Sequence, residues 1–254
     1  MRTPVLFAGH GSPMNAIENN AFTREWQRIG KALPTPKAIL SVSAHWYTAG
    51  TLVSDVPENR TIYDMYGFPD ALYRVAYPAK GAPELAARTR ALLTPDARLS
   101  GEWGLDHGTW SVLTHMFPKA DIPVFQLSVN RRLTAHEHFA LGQALRPLRE
   151  EGVLIFASGN VVHNLALVSW QTQGGFAWAD TFDMAIRDAV RQGAYDQAVD
   201  YQALGDAARK AVPMMDHYAP LLYALGAAEA GEPLEVFNDA RTLGSLSMTG
   251  YLLG

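Results

Sequence analysis

The chain contains no cysteine. Disulfides, thiolate zinc sites, cysteine-ligated iron–sulfur clusters and cysteine nucleophiles are therefore excluded. Charge is also sparse. Only 18% of the 254 residues are charged, and Lys+Arg 21 against Asp+Glu 25 gives a net −4. Nucleic acids and anionic membranes need a basic surface, so neither is an expected partner. No run reaches the roughly 18 apolar residues of a membrane helix. The first apolar segment meets a polar loop at Gly9-His10-Gly11-Ser12, too soon for a signal-peptide core. A soluble cytoplasmic protein is expected. Phosphate loops, dinucleotide fingerprints and nucleophile elbows are missing as well: no Gly-x-x-x-x-Gly-Lys, no Gly-x-Gly-x-x-Gly after a strand, no Gly-x-Ser-x-Gly.

What is abundant is apolar material, at 48%, enough for a large core and too much for disorder. Short apolar runs at 4–9, 38–44, 123–129 and 153–158 end in Gly, Ser, Asn or His, and none alternates cleanly. Continuous apolar runs suit strands covered on both faces. Helix-like segments lie at 22–33, 82–93, 110–116, 135–150, 180–192 and 217–228, and a fifth strand is expected at 234–237. This alternation predicts an α/β fold: one domain over 1–254, with a mainly parallel central sheet and helices on both faces. The stretch 53–81 stands apart. It carries Pro57, Pro69 and Pro78 with Tyr63, Tyr66, Phe68, Tyr73 and Tyr77. It reads as a long loop packed on the core, or as one wall of a pocket for a flat aromatic ligand.

Without thiols, a transition metal must be held by imidazole and carboxylate, and there are eight histidines. His10, His45 and His163 fall at or just past the ends of three expected strands. The carboxyl ends of parallel strands form the ligand crevice of such sheets, so these three converge on one edge. His107 precedes a helix in Gly104-Leu105-Asp106-His107-Gly108-Thr109-Trp110, where Asp106 reads as a cap or as an orienting partner. His217 lies near the start of an apolar helix, next to Asp216. His136 and His138 are two apart on a helix, point to different faces, and read as solvated. His115 reads as packing. Imidazole with oxygen donors suits Zn(II) or Fe(II) equally.

The ordered motifs Gly9-His10-Gly11-Ser12-Pro13, Ser43-Ala44-His45-Trp46, 104–110, 159–164 and 217–223 resemble those of the class III extradiol ring-cleavage dioxygenases. Within that class they look like the 4,5-DOPA extradiol dioxygenase family, which includes plant enzymes of betalain synthesis and bacterial relatives. The resemblance runs nearly the whole chain, through Gly244-Ser245-Leu246-Ser247-Met248. It implies a divalent metal held by His10, His45, His163 and His217, with Fe(II) for turnover and Zn(II) as a bound or resting ion. His217 falls where the wider class supplies a glutamate. The resemblance also implies a catechol and O2 as substrates, His163 as the base for the catechol proton, and His107 as the group that polarises O2 or returns a proton.

Two other readings fit the same histidines: a zinc hydrolase that activates water, and a non-catalytic metal carrier. The sequence allows a monomer or a small homo-oligomer.

Overall fold

The computed structural model describes residues 2–93 and 95–254. In chain order the strands are β1 (Val5–Gly9), β2 (Ala38–Thr48), β3 (Leu52–Ser54), β4 (Arg98–Ser100), β5 (Val124–Asn130), β6 (Val153–Gly159), β7 (Leu234–Phe237), β8 (Arg241–Thr242), β9 (Leu246–Ser247) and β10 (Gly250–Leu253). The helices are α1 (Ala21–Ala32), α2 (Pro83–Leu92), α3 (His107–Met116), α4 (Ala135–Ala144), α5 (Arg146–Glu150), α6 (Ala177–Arg191), α7 (Tyr195–Val199), α8 (Asp206–Ala211) and α9 (Ala219–Ala227).

Eight strands form one sheet in the order β4-β3-β5-β2-β6-β1-β10-β7. Its centre, β5-β2-β6-β1, is parallel. These are the four apolar runs seen in the sequence, and β1, β5 and β6 are buried at every residue. Successive side chains point to opposite faces of a strand. Val5 and Phe7 accordingly join a core with Phe182 of α6 and Leu221 and Leu225 of α9. Leu6 and Ala8 join a second core with Trp26 of α1 and Trp110 and Leu113 of α3. Helices thus cover both faces, as expected for an α/β fold.

The sheet is mixed at its flanks. β10 runs antiparallel to both β1 and β7, and Tyr251 stacks on Phe7 with centroids 6.0 Å apart. β3 pairs antiparallel with β5 through Val53 and Leu127. The expected helix over 135–150 is two helices, α4 and α5, because Pro147 cannot continue the α4 hydrogen-bond ladder. Helix α3 starts at His107, three residues before the expected 110. Asp106 is its N-cap, with the side chain accepting from the Thr109 amide at 3.2 Å. After β3, the stretch 55–81 is largely irregular. It is pinned by the Asn59 amide, which donates to the carbonyls of Ala79 and Val124, and by Leu72, Tyr77 and Ala79 buried in the second core.

Candidate metal centre

The sheet register sets the site. Ser158 of β6 pairs with Ala8 of β1 on one side and Ser43 of β2 on the other. His10 and His45 each stand two residues beyond that row, on either side of the end of β6. His45 lies in a bulge: β2 pairs with β5 up to Ser43–Ser128 and resumes at Tyr47–Val129, leaving 44–46 without partners. Such bulges re-aim a side chain at the end of a strand. The His10 amide donates to the Gly159 carbonyl at 3.1 Å. His217 arrives from just before α9. Its carbonyl accepts from the Asn160 amide at 2.9 Å, an approach that requires Gly159, since a Cβ there would lie 2.2 Å from that same oxygen.

These three imidazoles form a donor set. One ligand atom from each of His10, His45 and His217 falls within 4.8 Å of the others. The Nε2 atoms of His10 and His45 face each other at 3.1 Å. The far sides of the rings fix their tautomers. The Ser158 hydroxyl donates to the Gly108 carbonyl, so its oxygen accepts from His10 Nδ1 at 3.0 Å. Asp64 Oδ2 lies 3.2 Å from His45 Nδ1 and favours a proton there. Both Nε2 atoms therefore present lone pairs to the same point, which is repulsive without a cation between them. Two nitrogens bound tetrahedrally at about 2.0–2.1 Å from a metal stand roughly 3.4 Å apart, close to this spacing. Neither ring nitrogen of buried His217 makes a hydrogen bond. Asp216 Oδ2 is 3.2 Å from its Nδ1 but not aligned for one. The residues fit a divalent cation.

Electrostatics favour the ligand form. Burial, reinforced by the neighbouring imidazoles, pushes His10 and His45 well below the ordinary histidine range, so both are neutral. Burial opposes charge on Asp64 and Asp216, but the contacts from His107 and His217 outweigh it and hold both carboxyls below their usual range.

His107 and His163 flank this set. The His107 ring sits against that of His45, with centroids 3.8 Å apart. Its orienting partner is Asp64, which corrects the expectation for Asp106. The His107 amide donates to Asp64 Oδ1 and its Nδ1 to Oδ2, both at 2.9 Å. Asp106 instead accepts from the Ser43 hydroxyl and the Trp103 indole. Burial and the nearby Asp64 charge raise Asp106 to about 6. Asp64 and Ser158 were missed in the sequence. Asp64 sits among the tyrosines of the irregular stretch and carries no spacing signal. His163 stacks face to face on His217, centroids 3.4 Å apart and planes within 4°. It stands beside the His10–His45–His217 set and is not one of the three. Its loop is held by its own amide on the Ala211 carbonyl and by the Asn164 amide on Ser245. Burial, aided by His217 and opposed by Asp216, lowers it to about 3.

The other histidines lie elsewhere. His136 is exposed, beside Asp200. His138 is not solvated but fully buried, with Nδ1 3.1 Å from the Tyr223 hydroxyl, because α9 covers that face of α4. His115 is held by polar contacts, its Nε2 2.7 Å from the Asn15 carbonyl, as well as by its position near Trp26.

A mostly parallel sheet whose carboxyl edge gathers imidazoles without thiolates is the setting of a non-haem metal enzyme. The chain matches, over residues 3–254, the family described as the catalytic LigB subunit of aromatic ring-opening dioxygenase, and it belongs to that family. It is an extradiol aromatic ring-opening dioxygenase, and the family uses a divalent metal. It is 45% identical to the 4,5-DOPA dioxygenase extradiol of Escherichia coli K12, over 100% of this chain and 95% of that one. It is 39% identical to the protein of the same name from Beta vulgaris, over 97% of this chain and 94% of that one. A crystal structure of an uncharacterized Escherichia coli K12 protein superposes with a TM-score of 0.86 at 42% identity, covering 100% of both chains. Among the described residues, no helix is long and apolar enough to cross a membrane.

Proposed function

We propose that this enzyme opens the ring of a DOPA-like catechol at the extradiol bond, incorporating both atoms of O2, with Fe(II) in turnover and Zn(II) as a resting ion. Residues 1–254 serve as one catalytic domain. The observation that carries this reading is the 3.1 Å approach of the His10 and His45 Nε2 atoms beside the unpartnered ring of His217. The name shared by the relatives from Escherichia coli and Beta vulgaris supports the substrate class.

His10, His45 and His217 hold the metal. When bound, the metal supplies Lewis acidity to a phenolic hydroxyl and, as Fe(II), the one-electron chemistry that lets O2 react. His163 is neutral, only half-buried, and stacked on His217. It takes the catechol proton from the crevice side. A bound catecholate beside it raises its affinity for that proton. His107, against His45, holds a proton at Nδ1 through Asp64, so its Nε2 is the atom that takes up a proton and, as the imidazolium, returns it to the reacting oxygen. The buried rings of His10, His107 and His217 keep bulk water from the reacting atoms.

The test is anaerobic loading of the purified protein with Fe(II), followed by O2 and a panel of catechols. O2 uptake with a yellow ring-opened product is expected, with a DOPA-like member among the best substrates. No uptake with any catechol, together with ester or amide hydrolysis by the zinc form, would overturn the proposal in favour of a hydrolase.

A further inference from the structure

We infer that Asp64 is a positioning residue that locks the metal ligand His45 and the acid–base group His107 into one unit through a single carboxylate. This rests on the proposed ligand role of His45 and catalytic role of His107.

Asp64 stands in the irregular stretch between β3 and α2, remote in sequence from both histidines, and is half-buried. Its two oxygens take two hydrogen bonds from His107 and face a third N–H, that of His45, at ion-pair distance without the alignment of a hydrogen bond. Oδ1 accepts from the His107 amide at 2.9 Å, and Oδ2 lies 2.9 Å from His107 Nδ1 and 3.2 Å from His45 Nδ1. A carboxylate is acceptor-only, so it takes both bonds from His107 and still turns negative charge to the His45 Nδ1. An asparagine has one acceptor oxygen and would set an NH2 group against a donor. The two rings are already in contact, at 3.8 Å between centroids and tilted by 47°, so a turn of one displaces the other. Asp64 thus favours a proton on Nδ1 in both rings, through a hydrogen bond in His107 and through its charge in His45, and leaves Nε2 of His45 to the metal and Nε2 of His107 to proton exchange with the reacting oxygen. Carboxylates placed behind metal-bound histidines orient the ring and raise its basicity.

The surrounding chain keeps Asp64 in register. The Tyr63 hydroxyl donates to the Val75 carbonyl at 2.8 Å, and the Trp110 indole donates to the Ile62 carbonyl at 3.0 Å. Trp110 belongs to α3, the helix His107 begins. The Trp110 indole thus ties α3 to the stretch two residues before the carboxylate, and the Tyr63 hydroxyl ties the stretch to itself. Its aromatic residues hold this backbone in place, and the polar side chain they deliver does the positioning.

The experiment compares wild type, Asp64→Asn and Asp64→Glu, using Co(II) as a spectroscopic probe beside Fe(II) turnover. Asp64→Asn should weaken Co(II) binding about 10–100-fold, shift the visible bands of the Co(II) form, and lower kcat more than KM. Asp64→Glu should recover part of each. Wild-type affinity and spectrum in Asp64→Asn would overturn the inference. Loss of binding as complete as in His45→Ala would also overturn it, by making Asp64 a direct ligand. A measurement on wild type stands whether or not the variants fold. Nitrogen-15 spectra of the zinc-loaded protein, labelled in histidine, should show His45 and His107 both protonated at Nδ1 with slowly exchanging ring protons. A His107 Nδ1 without a proton would refute the shared lock. If wild type cleaves no catechol while these signatures hold, the functional proposal fails and this one stands.

Discussion

A serine hydroxyl decides which nitrogen of His10 is free. Ser158 spends its proton on the Gly108 carbonyl and so can only accept from His10 Nδ1. Ser158→Ala is expected to lower metal affinity by about tenfold while the protein stays folded, read by competition with a chromogenic chelator. His10→Ala and His45→Ala remove donors outright. Both should emerge from dialysis metal-free, and stoichiometric metal in either would refute its assignment. His107→Ala should keep its metal and lose turnover; unchanged activity would make His107 structural. The histidines themselves were legible because a strand end followed by His-Gly or His-Trp is a local signal. Their partners were not. Ser158, Asp64 and Asp106 find their roles through sheet register and loop packing, which no short window of sequence records. Asp106 illustrates the cost of proximity: being next to His107 in sequence made it the obvious partner, yet as an N-cap its carboxylate turns to Thr109, Ser43 and Trp103.

At the scale of elements, the parallel strands were readable because an unbroken apolar run has few other uses. β4 and β10 were not, since Arg98–Ser100 is short and largely exposed and β10 begins at Gly250. The bulge in β2 that turns His45 into the crevice has no sequence signature. The split of α4 from α5 did have one, at Pro147. The end of β6 makes the sharpest prediction. Gly159→Ala must push the His217 carbonyl away from a 2.2 Å approach. Overpacking of this kind costs about 1–3 kcal/mol. Thermal melts should show the loss, and Co(II) titration should show weaker binding, because His217 moves with its carbonyl. A variant with wild-type melting and affinity would mean that α9 gives way freely at its start.

For the molecule as a whole, two cores on opposite faces of one sheet leave its carboxyl edge to the histidines. Stability then depends on pH through a group outside the donor set. Burial lowers His138 from the usual 6.5 to about 4. The unfolded chain takes up this proton near pH 6.5 and the folded chain only near 4, so between those values the unfolded state binds more protons. The contribution is complete above about pH 6.5 and lost as the pH falls to about 4, amounting to about 3 kcal/mol. Denaturant unfolding of metal-free wild type and His138→Gln across this window should show wild type losing more stability on acidification. Parallel slopes would assign the acid sensitivity elsewhere. The sequence foretold the α/β class and the two-sided helical cover, because composition and alternation report on bulk burial. It misjudged His138 because helical spacing says which face a residue takes, not which neighbour will cover it.

The antiparallel seam between β1 and β10 also bears on how the chain is assembled. Phe7 pairs with Tyr251, so β1 waits for a partner strand made more than 200 residues later. Until then β1 can bond only to β6, and its other edge stays open to unwanted pairing. Contacts between such distant segments slow folding. Nascent chains stalled before β10 should depend on chaperones to shield that edge.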